Sequence, residues 1–168
     1  MLKIESQIRA STFWILMVKC GLIISCSSPV IYEETYEVNE SGWLYSDSAA
    51  FTFSLSDTSR VLDIGVTLRH SEDYPYRNIW LFLEVDAPGT TGYVDTLELY
   101  ISDNKGEWLG RKRDGAIEVS ALYQHDVKIA EEGDFTWRLV HGMRRELLPG
   151  IHSLQLWVQD GEQVDIFN

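Results

Sequence analysis

The thiol of Cys26 is the side chain with the best-defined chemistry. It follows Ile23-Ile24-Ser25, and behind these lie Lys3, Arg9 and the apolar run Phe13-Trp14-Ile15-Leu16-Met17-Val18. A positive start, an apolar middle and a small residue before a cut mark an exported segment. Ending on cysteine, the segment has the pattern of a bacterial lipobox. Cleavage between Ser25 and Cys26 leaves Cys26 first, acylated on its sulfur and on its new amino group. Each buried methylene contributes about 0.8 kcal/mol, so one acyl chain holds a protein marginally and two or more hold it stably. Lys19 splits the apolar region, and no run reaches the roughly 20 residues of a spanning helix.

Other groups able to do chemistry lack a matching arrangement. His70, His125, His141 and His152 show no metal-ligand spacing and read as structural or surface histidines. No Gly-x-Ser-x-Gly and no phosphate-cradling glycine loop occurs. Asp103-Asn104-Lys105-Gly106-Glu107 lacks the alternating oxygens and terminal glutamate of a calcium loop and reads as a hairpin turn. An acidic chain always offers carboxylate pairs for glycoside hydrolysis, so their presence selects nothing. The expectation is a protein without catalytic residues, metal or cofactor.

Removing 25 of 168 residues leaves 143, and the leader, net +2, leaves them at −14. That length suits one domain around one core. A chain this acidic is a poor partner for nucleic acid. Anionic headgroups repel it, so the lipid must do the anchoring. With Cys20 in the leader and Cys26 acylated, the domain has no disulfide and rests on packing, in which Trp43, Trp80, Trp108, Trp137 and Trp157 are available. The divisions are 1–25 leader, 26–30 tether, 31–160 domain and 161–168 tail.

Period-two alternation recurs along the domain. Tyr32, Tyr36 and Val38 share one side of a first strand. Phe51, Phe53 and Leu55 form another, as do Leu62, Ile64, Val66 and Leu68; Leu97, Leu99 and Ile101; Phe135, Trp137 and Leu139; and Leu154, Leu156 and Val158. Ile79 to Val85 is nearly continuous in apolar residues and reads as a central strand, and Val127 with Ile129 suggests a short one. Pro88-Gly89, Glu132-Gly133-Asp134, Pro149-Gly150 and Asp160-Gly161 supply turns. About eight strands predict an all-β antiparallel sandwich, jelly-roll or immunoglobulin-like, with an eight-stranded barrel as the alternative. At most one short helix is expected, around Gly142–Leu148. Trp80 and Trp137 fall within strand patterns and are expected in the core. Trp157 lies opposite Leu156 and Val158, exposed or covered. Exposed aromatics on a sandwich can stack on sugars or anchor a protein interface; buried ones plug its ends.

Three segments together resemble the gliding motility lipoprotein GldH family of Bacteroidota. They are Arg69 through Tyr74-Pro75-Tyr76-Arg77-Asn78-Ile79-Trp80-Leu81-Phe82; Asp95-Thr96-Leu97-Glu98 with Gly106-Glu107-Trp108-Leu109-Gly110; and Gly133-Asp134-Phe135 with Gly142-Met143-Arg144 and Pro149-Gly150-Ile151. Arg111-Lys112-Arg113-Asp114-Gly115 stands where the family continues with glycines, and the Val-Gly usual in the last strand is replaced around Ser153-Leu154. Pro75 biases Tyr74 toward extended backbone. Gly106 and Gly110 bracket Trp108 so that it can fold back over a sheet edge, and Arg144 is expected to form a bidentate carboxylate pair. Tyr74, Pro75, Trp80, Trp108, Gly110 and Arg144 are therefore the structural or interface candidates beside the lipidation site Cys26. The resemblance implies a non-enzymatic component, lipid-anchored in the outer membrane, with other gliding or type IX secretion envelope proteins as partners. Ser27-Ser28-Pro29-Val30 stands where surface-exported lipoproteins of these bacteria carry acidic residues, which favours a periplasm-facing domain. A surface glycan-binding lipoprotein is the alternative.

Overall fold

The computed structural model describes residues 29–161. The leader, Cys26 and residues 162–168 lie outside them. Among the described residues there are eleven strands and no helix: β1 Val30–Glu37, β2 Trp43–Leu44, β3 Ala49–Leu55, β4 Val61–His70, β5 Asn78–Asp86, β6 Tyr93–Tyr100, β7 Arg111–Arg113, β8 Ala116–Lys128, β9 Gly133–His141, β10 Leu147–Leu148 and β11 Ile151–Asp160.

The strands form a five-stranded sheet, β1-β11-β4-β8-β7, a four-stranded sheet, β3-β9-β5-β6, and a ribbon of β10 with β2, all antiparallel. Setting aside the three short strands, the first long strand pairs with the eighth, the second with the seventh, the third with the sixth and the fourth with the fifth. This is one long hairpin wrapped into two sheets, the jelly-roll solution to burying sheet faces. It decides the sandwich over the barrel and the jelly roll over the immunoglobulin-like order.

Alternation dictates the core. Leu62, Ile64, Val66 and Leu68 of β4 and Leu154, Leu156 and Val158 of β11 face Phe51 and Phe53 of β3, Leu81 and Leu83 of β5, and Trp137 and Leu139 of β9, all buried. β4 is covered on its outer side as well. Trp157 lies across Gly65, where a Cβ would stand 2.1 Å from its ring and 2.5 Å from the Ala121 carbonyl oxygen. Trp157 is thus neither loose nor in the core but half-buried against a bare patch of backbone.

Two segments are resolved more finely than their local pattern allowed. Gly142–Leu148 is not helical: Leu148 and Leu147 pair with Trp43 and Leu44, and the Tyr45 amide donates to the Glu146 carbonyl at 2.8 Å. A partner a hundred residues away outcompetes a local turn. Val127 lies at the end of the thirteen-residue β8, and Ile129 follows just past it. Residues 103–107 make the expected turn, with Asp103 Oδ1 accepting from the amides of Lys105 (2.8 Å) and Glu107 (2.9 Å).

The connections sort by length. Segments 38–48, 71–77, 101–110 and 142–150 lie at one end of the sandwich; the shorter 56–60, 87–92 and 129–132 lie at the other. A ten-residue strand such as β4 separates the ends by roughly 30 Å.

Candidate functional site

The long-loop end carries a groove on the outer face of the four-stranded sheet. In β5, Ile79, Leu81, Leu83 and Val85 point inward, which turns Trp80 and Phe82 outward, 39% and 44% exposed. Glu98 and Thr96 of β6 stand opposite them in register. The chain leaving β9 forms the other wall. The Gly142 amide donates to the Trp80 carbonyl at 2.6 Å, and the Met143 sulfur accepts from the Trp80 amide at 3.4 Å. A Cβ at Gly142 would lie 2.9 Å from the Phe82 ring, so only glycine lets this segment press so closely on the floor. The resulting cavity, about 580 Å³, is lined by Tyr76, Asn78, Trp80, Phe82, Met143 and Arg144 among others. Glu98 accepts from Asn78 Nδ2 at 2.5 Å and raises the pKa of the neighbouring Tyr100 phenol by hydrogen bonding. An aromatic floor between a carboxylate and a guanidinium can hold a flat or apolar group and orient it by polar contacts at the rim.

A file of rings backs this groove. Trp108 meets the edge of His70 at 4.7 Å between centroids, His70 meets Tyr74 at 5.6 Å, and Tyr74 meets Tyr76 at 5.7 Å. Tyr74 is buried and donates to the Asn78 carbonyl at 3.1 Å; burial raises its pKa. His70 and His141 are buried, and desolvation lowers the pKa of both. His70 Nδ1 lies 2.8 Å from the Ser71 carbonyl and His141 Nε2 lies 3.0 Å from that of Trp43, contacts that place the single proton of each neutral ring on those atoms.

The structure gathers Tyr74, Pro75, Trp80, Trp108, Gly110 and Arg144 at the same end. Pro75 is exposed in the β4–β5 loop. Trp108 bridges to Ser102 and packs half-buried on the core, and Gly110 (φ 103°) crosses β8 so closely that a Cβ would meet the Glu118 carbonyl at 2.2 Å. Two expectations are corrected. Trp80 is not core: Trp80 and Phe82 alternate with equally apolar neighbours, so the pattern could not assign the face. Arg144 is exposed and forms no ion pair with a described residue. The bidentate pair belongs to Arg60, whose Nε and Nη2 donate to Asp160 at 2.8 and 2.6 Å. Phe82, Met143 and Asn78 were missed as site residues, although all three lie inside the segments that carry the family resemblance.

Another cluster lies near the short-loop end. Asp63 Oδ1 accepts from the Asp126 amide at 3.1 Å and lies 2.7 Å from His125 Nδ1, while His125 Nε2 lies 3.3 Å from Asp126 Oδ2. The three side chains offer ligand atoms within 4.8 Å of one another. No spacing announces them, because a double bulge in β8 brings residues 125 and 126 opposite the single residue Asp63. Asp126 takes a left-handed backbone (φ 55°) there, and the Asp63 carboxylate clamps the bulge. A mainly apolar gap of about 250 Å³ between the sheets opens at this end, under Pro88, Ile129 and Phe135.

The model of the GldH lipoprotein family matches residues 30–156. The chain is 29% identical over 135 residues to a gliding motility lipoprotein GldH homolog of Christiangramia forsetii, covering 80% of this chain and 82% of that one. It is 25% identical over 142 residues to gliding motility lipoprotein GldH of Flavobacterium johnsoniae, covering 84% and 87%. Among solved structures it overlaps a Xyl-CBM35 domain in complex with a glucuronic-acid-containing disaccharide, at 16% identity, TM-score 0.35, with 82% of this chain and 95% of that one covered. A CBM35 from Cellvibrio japonicus Abf62 gives a TM-score of 0.32. Both overlaps are too loose to bear on function.

Proposed function

The chain belongs to the GldH lipoprotein family, and from that premise we propose that it is a non-catalytic, lipid-anchored part of the gliding machinery in the cell envelope. It acts by holding another protein. Cys26 carries the acyl chains, and the domain faces the periplasm from the inner leaflet of the outer membrane. Family membership supports the machinery and the anchor. The observation that supports protein contact is the aromatic groove: Trp80 and Phe82 stand open on a sheet face, backed by buried rings and rimmed by Glu98 and Arg144. Open aromatics beside an arginine are the composition of interface anchors.

The test is cross-linked co-purification from membranes with the wild type, Cys26→Ala and Trp80→Ala. Wild type recovers other envelope components of the machinery, Cys26→Ala loses them with its membrane attachment, and Trp80→Ala stays on the membrane without them. Equal recovery by Trp80→Ala and wild type refutes the groove. A bare tryptophan between a carboxylate and a guanidinium also favours a second reading, glycan binding. Quenching of tryptophan fluorescence by envelope polysaccharide, with no protein recovered, selects that reading.

A further inference from the structure

The position of the anchor relative to the groove follows from the strand order. β1 begins at Val30, which pairs with Gln159, and the Asp160 amide donates to the Pro29 carbonyl at 3.2 Å. Both observations place the start of the domain at its short-loop end. Three residues, Ser27, Ser28 and Pro29, separate Cys26 from β1. Four Cα steps of 3.8 Å reach at most about 15 Å, which is half the length of the sandwich. The groove, built from the first residues of β5 and the segment after β9, lies in the opposite half of the sandwich.

Charge does not separate the two ends: the groove-end segments carry Arg77, Arg111, Lys112, Arg113, Arg144 and Arg145 but also Glu72, Asp73, Asp103, Glu107, Asp114 and Glu146. The sheet face is different. The outer face of the four-stranded sheet carries Glu84, Asp86, Glu98 and Asp134 against Arg138, which pairs with Glu84 and Asp86. Laying that face on an anionic leaflet costs repulsion, so its exposed aromatics are not a membrane-seating surface.

We infer that the tether holds the jelly roll end-on, with the groove pointing away from the bilayer toward a polypeptide partner in the aqueous compartment. The partner that fits offers an apolar or aromatic side chain to Trp80 and Phe82 and a carboxylate to Arg144, the rim cation without a described acidic partner. This inference rests on acylation of Cys26.

The test uses the full acylated protein on phosphatidylethanolamine–phosphatidylglycerol vesicles bearing an acceptor dye on the headgroup. Donor dyes are placed on Thr58→Cys, in an exposed turn of the anchor end, or on Ser46→Cys, in an exposed turn of the groove end. The acylated Cys26 sulfur takes no label. Energy transfer is severalfold stronger from position 58 than from position 46, and a long glycine–serine insertion after Ser28 removes the difference. Equal transfer from both positions without the insertion overturns the inference, as does a difference that survives it. If the labelled protein fails to float with vesicles, the anchor reading itself falls. Adding a soluble acidic peptide with one tryptophan quenches a groove-end donor in wild type but not in Arg144→Glu; equal quenching in both overturns the assignment of the partner.

Discussion

Replacing Gly65 by alanine tests the packing that covers β4. The new methyl would stand 2.1 Å from the Trp157 ring and 2.5 Å from the Ala121 carbonyl, where ordinary contact begins near 3.4 Å. The ring must therefore retreat by roughly 1.3 Å, and β8 must give by most of an ångström at its bulged segment. Overpacking of this kind costs about 1–3 kcal/mol. A displaced indole that uncovers roughly 50 Å² of apolar surface adds about 1.3 kcal/mol at 25 cal/mol per Å². The expected loss is about 3 kcal/mol, a large share of the 5–15 kcal/mol typical of a domain. Urea unfolding monitored by tryptophan fluorescence measures it, and melting falls by roughly 10–15 °C. The Gly65→Ala/Trp157→Ala double variant removes the ring clash but keeps the carbonyl clash, so the two substitutions couple by about 1–2 kcal/mol. A Gly65→Ala protein within about 0.5 kcal/mol of wild type refutes the close approach of Trp157 to the β4 backbone.

Three further outcomes follow from the same packing. Trp108→Ala opens the end beside His70 and costs about 3 kcal/mol in thermal or chemical unfolding; an unchanged melting temperature makes Trp108 a contact residue instead. His70 and His141 are held neutral by burial, with pKa values lowered from 6.5. The unfolded chain binds their protons first, so stability is complete above about pH 6.5 and declines as pH falls from there through the lowered folded values. A urea midpoint that stays flat between pH 7.5 and 5 contradicts this. Asp63→Ala strips the acceptor from the Asp126 amide, costs about 1–3 kcal/mol, and speeds hydrogen exchange at that amide, whereas Asp63→Asn retains most of the protection.

Much of the fold was legible because its strands obey one-face burial. Phe51, Phe53 and Leu55, or Phe135, Trp137 and Leu139, alternate with polar residues and could point only one way. β5 was legible as a strand but not as a surface: Ile79 through Leu83 is apolar on both parities, and only pairing with β9 and β6 decides that Trp80 and Phe82 face water. The groove was hidden for that reason. β8 alternates through Ile117, Val119 and Ala121, then loses phase at its bulges, so its sequence yielded only its last turn of pattern. Leu147-Leu148 gave no strand pattern of its own because its partner, Trp43-Leu44, is distant in the chain. The Asp63–His125–Asp126 cluster depends on a bulge register that no local spacing encodes.

The pairing of the first strand with the last also has a mechanical meaning. In the proposed arrangement the lipid attaches ahead of β1, an edge strand paired within its sheet to β11 alone, from Glu37 with Ser153 to Val30 with Gln159. Tension between the bilayer and a partner seated at the groove end pulls along the axis of β1. Its cross-strand bonds then carry force together in shear, rather than opening one after another like a zipper. A pull applied sideways at the anchor end would peel the same strand from Val30 inward. In that arrangement the fold is strong along one direction, the long axis of its strands.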